Sequence, residues 1–333
     1  MKLTGKMTKI LIFSAGILIG LASREIMLRV AESKAKTVYV EHHEGQSGNI
    51  NPLLACDTAA GVLSDPEIGS FKEKVEAFLN ARAEAKTSVY FRELNDGLWF
   101  SVGDTQQYIP ASLRKVPLMI AILKQAEREN GLLDRQVKFE QSSDDTSRQN
   151  FKPSQSLVFG NAYTVKDLIY RMIVYSDNNA FTILTKIVNP KELMRAYSNL
   201  RILDPQNTNS DNFLSVQTYE SFFRVLYNCS YLSREASDWA LEILSKSEFK
   251  TGLVAGVPAG VKVAHKFGEK SGAEDGTVQL HDCGIIYYPN HPYMLCVMSK
   301  GPDFAALNDE IAGVSRIVYS EIEAQVQNQA APK

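Results

Sequence analysis

An α+β fold is what this chain predicts, with one antiparallel sheet built from both ends of a domain, helices on the faces of that sheet and an all-helical section between the two ends. Three observations carry the prediction. A hairpin signal, Asn95-Asp96-Gly97, stands between two strand-like segments near the start of the domain. Apolar residues at helical spacing fill the middle of the chain. Strand-like segments then return between Val261 and Ser299, ahead of a closing helix.

The elements follow in order. Phe71, Val75, Phe78 and Leu79 recur at helical spacing and open the domain with an amphipathic helix. Ser88 to Leu94 and Leu98 to Val102 flank the Asn-Asp-Gly turn, a strong hairpin pattern. A short extended segment, Tyr108 to Ala111, leads into a long apolar helix from about Leu113 to Ala126. Helical patterns continue to about Leu244. Val261 to Phe267, Cys283 to Tyr288 and Tyr293 to Ser299 read as strands, with Pro289 to Pro292 as a turn between the last two. Ala306 to Ala330 closes the domain as a helix.

Ahead of the domain the chain changes character. Lys2, Lys6 and Lys9 precede an uncharged, mostly apolar run from Ile10 to Ser23, closed by Arg24 and Glu25. As a helix this run spans about 21 Å, short of the roughly 30 Å hydrocarbon core. It suits a signal peptide, with Gly20-Leu-Ala22 offering small residues for cleavage. It equally suits an uncleaved anchor lengthened by Ile26, Met27 and Leu28, with Arg24 snorkelling. Either way the lysines stay inside and the remainder is exported. Residues 1–30 are therefore assigned to a segment that meets the membrane, 31–65 to a polar linker and 66–333 to the globular domain. Leu53-Leu-Ala-Cys56 has the look of a lipoprotein box but stands too far beyond the apolar run to serve as one.

Composition excludes several classes. The 333 residues are 44% hydrophobic and 22% charged, with a net charge of −2, which is globular and gives no electrostatic case for nucleic acid. Cys56, Cys229, Cys283 and Cys296 are scattered and lack zinc spacing. They read as buried thiols, with a pair such as Cys56–Cys283 as the alternative if the domain is exported. The five histidines form no ligand cluster, so neither a metal nor a cofactor is expected.

The chemistry lies in three short motifs, each with a decoy. Ser112-Leu-Arg-Lys115 puts a serine and a lysine one turn apart on a helix face. A lysine whose charge is suppressed can take the serine proton, which makes a nucleophile without histidine. Lys115 heads the apolar run Val116 to Leu123, where burial lowers an amine's pKa. The helix start adds free N–H groups for an oxyanion. The second Ser-x-x-Lys, Ser247 to Lys250, has no apolar run to bury its lysine. Ser176-Asp177-Asn178 sits between two apolar helices, where polar side chains need partners. Its decoy, Ser210-Asp211-Asn212, lies in an Asn- and Ser-rich loop. For the third motif, Lys266-Phe267-Gly268 ends a strand on which Ala264, Lys266 and Gly268 share a face. That face could serve as a floor where an acyl substrate pairs edge-on. Lys270-Ser-Gly272 is the runner-up, and the glycine of Lys250-Thr-Gly252 reads as a helix C-cap.

Taken in this order, these motifs resemble the penicillin-recognising serine hydrolases, closest to the class A β-lactamases, over about residues 66–330. The resemblance implies the β-lactamase/transpeptidase-like fold. It implies that Ser112 attacks the carbonyl of a β-lactam or D-alanyl peptide, Lys115 takes its proton, and Ser176 relays a proton to the leaving nitrogen. It further implies that Asn178 binds the substrate's side-chain amide, that Lys266 binds its carboxylate beside Gly268, and that the backbone N–H groups of Ser112 and Glu269 form the oxyanion hole. The sequence departs from the family pattern in three places. Phe267 replaces a threonine or serine, and His265 replaces a customary aspartate. The Glu-x-x-Leu-Asn loop that supplies the deacylating base has no counterpart in Leu200 to Leu214, where Asp204 and Asp211 are the acidic residues. The expected function is an exported acyl-serine hydrolase with a β-lactamase-like site and slow deacylation. The alternatives are a D,D-peptidase or esterase on the same site, or a non-enzymatic cell-envelope binding or sensing domain.

Overall fold

The computed structural model describes residues 65–330, apart from 83, 96, 141–143, 148, 201–211 and 273–274. The expected signal or anchor segment, the linker, Cys56, Asp204 and Asp211 all lie outside the described residues.

The sheet unites the two ends of the domain. β1 (Lys86–Glu93) and β2 (Trp99–Val102) form the expected hairpin, with Gly97 at φ +81° in its turn. β1 then pairs antiparallel along its whole length with β7 (Tyr293–Gly301). β7 pairs with β6 (Val278–Ile286), and β6 with β5 (Val263–Lys270), giving the strand order β2-β1-β7-β6-β5. β5 is therefore an edge strand. The strand alternation sorts the two faces. Tyr90, Ala264, Cys283, Met294 and Met298 join one core with the helical middle, whereas Val89, Phe91, Phe267, Leu280 and Val297 join a second core.

That second core lies beneath α1 (Asp65–Asn80) and, at the far end of the chain, α8 (Phe304–Ala330). The helices pack so closely that a Cβ on Gly313 would stand 2.1 Å from the Phe78 ring. The middle section holds a 3-10 turn (Ala111–Arg114), α2 (Lys115–Ala126), α3 (Val165–Val174), α4 (Asn178–Ile187), α5 (Pro190–Asn199), α6 (Val216–Tyr227) and α7 (Arg234–Ser245). Every α2 residue from Lys115 to Leu123 is buried. Two three-residue strands, β3 (Gln136–Lys138) and β4 (Ala162–Thr164), pair within this section. They are too short for alternation to announce them, and the sequence reading had none there.

The cysteine reading needs correction. Cys283 and Cys296 face each other across the β6–β7 register and are joined as a disulfide, so they are neither free thiols nor available to Cys56. Register brings them together, which spacing along the chain does not reveal. Cys229 is free and half-buried. No helix among the described residues is long and apolar enough to cross a membrane. No group of three metal-ligating side chains is found among them either.

Candidate active site

Ser112 is the second residue of the 3-10 turn that precedes α2. Lys115 follows the turn directly and its backbone N–H donates to Ser112 O, the three-residue spacing of a 3-10 turn. Ala111, just ahead, adopts φ +46°, a left-handed conformation that is costly for a residue with a Cβ. Several contacts hold the backbone there. Gln279 Oε1 accepts from Ile109 N at 3.0 Å, and His281 Nε2 lies 3.0 Å from Ile109 O. Ser299 N donates to the other ring nitrogen of His281, so Nε2 is the protonated one. Burial holds the pKa of this histidine down at about 4, which keeps it neutral. Tyr219 Oη donates to Leu113 O at 2.9 Å. Gly268 of β5 fits beneath the turn, where a Cβ would meet Pro110 O at 2.9 Å and Leu113 N at 3.2 Å.

The second motif closes on the first at the junction of α3 and α4. Ser176 is fully buried and has φ +55°. Asp177 caps α4, its Oδ1 accepting from the N–H groups of Asn179 and Ala180. Lys115 Nζ, also buried, donates to Ser176 O at 2.6 Å and Asn178 Oδ1 at 2.7 Å, and lies 3.1 Å from Ser176 Oγ. Lys266 Nζ lies 2.9 Å from the same hydroxyl and 3.0 Å from Phe267 O. One buried hydroxyl thus stands between two buried amines. Burial, and next the charge of Lys266, push the Lys115 pKa well below the lysine range, against opposing pulls from Asp177 and Glu269. Burial brings Lys266 down to about 7, opposed by Asp282 and Glu269.

The structure brings Ser112, Lys115, Ser176, Asn178, Lys266 and Gly268 together, and it sets the decoys aside. Lys270 is exposed at the end of β5 and Lys250 is exposed beyond α7, while Ser247 is buried without its lysine. The C-cap reading of Gly252 is corrected. Its φ is −91°, and glycine is needed because a Cβ would stand 2.5 Å from Asp282 Oδ2. Ser210 and Asp211 lie outside the described residues.

Three features were missed from sequence. The first is residues 144–147 and 149–151, which meet the Ser176–Asn179 junction and Glu269. Asp145 O accepts from Asn178 Nδ2, Asn179 Nδ2 donates to Asp144 Oδ1, and Gln149 Nε2 donates to Ser176 O. The second is the Glu269 side chain. Its backbone N–H was the expected oxyanion donor, yet its carboxylate also accepts from Asn150 N at 2.9 Å and Phe151 N at 3.1 Å. Burial raises the pKa of this carboxyl, against those two N–H groups and both lysines. The third is a buried pair in which His265 Nδ1 lies 2.7 Å from Asp282 Oδ1. The polar run around residue 145 was the one available signal, and it looked like an ordinary loop.

Comparison with known proteins gives a consistent result. Residues 70–322 match the family described as the beta-lactamase enzyme family. Among solved structures, the chain is similar to the TLA-3 extended-spectrum beta-lactamase, at 21% identity and a TM-score of 0.68, covering 77% of this chain and 99% of that one. A class A beta-lactamase from Mycobacterium abscessus is 23% identical, with a TM-score of 0.64 and coverage of 76% and 99%. A PBP-A mutant, solved as an acyl-enzyme complex with penicillin G, is 22% identical, with a TM-score of 0.64 and coverage of 77% and 97%. No curated protein sequence matches.

Proposed function

The chain belongs to the beta-lactamase enzyme family, and from that premise we propose that it is a serine hydrolase that forms an acyl-enzyme on Ser112 from a β-lactam amide and releases it slowly. The observation that carries this reading is the pair of buried lysines converging on the Ser176 hydroxyl, one of them a turn away from Ser112. A neutral lysine amine has two N–H groups and one lone pair. At Lys115 the N–H groups are taken by Ser176 O and Asn178 Oδ1. The third direction of the amine faces Ser176 Oγ at 3.1 Å, and in this proposal its lone pair takes the Ser112 proton.

Ser112 Oγ bonds to the carbonyl carbon and its proton passes to Lys115 Nζ. The carbon–nitrogen bond then breaks. The Lys115 ammonium returns a proton to Ser176 Oγ while the Ser176 hydroxyl gives its own to the leaving nitrogen. Lys115 ends neutral and Ser112 ends as an ester. The backbone N–H groups of Ser112 and Glu269 are the proposed donors to the oxyanion, with Asn178 and Gly268 lining the acyl group. Water then hydrolyses the ester. Without a glutamate in Leu200 to Leu214, this second half is the slow one.

Export, with the N-terminal segment either cleaved or kept as a membrane anchor, belongs to the same proposal. The Lys2–Lys9 cluster ahead of the apolar run supports it, as does the Cys283–Cys296 disulfide, a bond favoured outside the cytosol. A D-alanyl peptide or an ester is the alternative substrate class on the same site, because slow release is what a peptidase-like acyl-enzyme shows; leaving-side charge, as inferred below, chooses between members of these classes.

The test is to incubate the protein with labelled penicillin and follow its intact mass. The expected result is an adduct on Ser112 that persists, with none on Ser112→Ala. Absence of any adduct, with the two proteins behaving alike, would exclude the enzymatic reading and favour a binding or sensing role.

A further inference from the structure

We propose that the leaving-group side of this cleft takes an uncharged or cationic group, so that the preferred substrate is an amide or ester with no free carboxylate beside the scissile carbonyl. The inference rests on Ser112 acylation as proposed above and names the substrate class of that same site.

The strap from Gln149 to Phe151 carries the argument. It starts at Ser176, where Gln149 donates to the backbone carbonyl, and meets the edge strand β5 at Phe267 and Glu269. Its far end, the Phe151 ring, meets Phe249, Phe267 and Phe304 edge-on at centroid distances of 5.0, 5.7 and 5.9 Å. Phe267 is stacked on Phe249 at 4.2 Å. The position next to Lys266 is thus occupied by packed rings and offers no hydroxyl to an anion.

The cations here are committed or elsewhere. Lys266 is fully buried, with its Nζ turned to Ser176 Oγ and Phe267 O, so it presents no ammonium to an incoming carboxylate. Lys115 is likewise turned inward onto Ser176 and Asn178. Lys152 Nζ is held by the carbonyls of Thr146 and Ser147, and Arg114 lies over the Phe181 ring of α4. The group that does stand past Phe267 on this strand is the Glu269 carboxylate, held on Asn150 N and Phe151 N.

A substrate carboxylate on this side meets the like charge of Glu269, and among the described residues the neighbouring exposed cation, Lys270, alternates to the other face of β5. A cationic group there gains an ion pair with that carboxylate. The covalent step is unchanged, with the proton delivered through Ser176 to the leaving nitrogen or oxygen.

Three probes of one acyl group separate the outcomes: benzylpenicillin as the free acid, its methyl ester and its 2-(diethylamino)ethyl ester. Each is incubated with the full chain, and the Ser112 adduct is timed by intact mass. Both esters are expected to acylate about tenfold faster or more than the acid, the cationic one fastest at low salt. Glu269→Gln, which keeps the length and the acceptor oxygen, is expected to remove the advantage of the cationic over the methyl ester. Should that variant fail to fold, the order of the three probes on the unaltered protein decides. Acylation by the free acid as fast as by the esters overturns the specificity and leaves Ser112 acylation standing. No adduct from any of the three overturns both.

Discussion

Lys266 shows most directly what single residues cost and supply in this molecule. Its pKa of about 7, against an ordinary lysine value of 10.5, is caused first by burial. The unfolded chain therefore binds that proton more tightly than the folded chain between those values. Stability rises with pH across this window and is lowest at and below neutrality. Lys266→Met removes the penalty while leaving Ser176 Oγ its contact with Lys115. We expect the variant to be more stable at pH 6 by on the order of 3 kcal/mol, with the gain fading towards pH 10, measured by denaturant melts across that range. Acylation should respond in the opposite sense. The charge of Lys266 helps depress Lys115, so its removal raises the Lys115 pKa and moves the rise of the acylation rate to higher pH. The Ser-x-x-Lys pattern was legible in sequence because both residues lie within one turn. The His265–Asp282 pair was not, since it forms only when β5 and β6 align in register.

At the scale of elements, the decisive joint is β5 against the 3-10 turn. Gly268 permits the approach, since any Cβ there would enter the space of Pro110 O and Leu113 N. Gly268→Ala should displace the turn that carries Ser112. We expect a loss of about 1–3 kcal/mol from overpacking, seen in thermal melts. A drop in acylation rate of about tenfold or more should accompany it, since small misplacements of a nucleophile are costly. The sequence placed Gly268 on the same strand face as Lys266 from alternation alone, and the structure agrees. It could not show that the strand is an edge, because strand order depends on pairings between distant segments. The 3-10 turn was equally hidden. Apolar periodicity marked the helix from Leu113, but the tight turn at Ala111–Arg114 follows from its grip by Gln279, His281 and Tyr219 on other elements.

At the scale of the whole molecule, the two termini of the domain lock one another. β1 and β7 come from opposite ends of the domain and pair along their whole length, and α1 packs on α8 at Phe78 and Gly313. A methyl group on Gly313 would enter the Phe78 ring, so Gly313→Ala should destabilise the fold by about 1–3 kcal/mol. Truncating Phe78 should reduce that penalty, and a double-mutant cycle read by urea melts measures the coupling. Additive effects of the two changes would show that the helices do not meet there.

The sequence alone determined the class of fold, because hairpin chemistry, alternation and helical period are local signals written within a few residues of one another. It also determined which serine and which lysines to consider, through motif order and the apolar run behind Lys115. Only the tertiary structure decided what surrounds them: the Cys283–Cys296 bridge, the strap from Gln149 to Phe151, the Glu269 carboxylate across it, and the inward turn of both lysines onto Ser176. Each of these joins segments remote in the chain. Their geometry is set by sheet register and by the burial of polar groups that must find partners, neither of which is encoded locally.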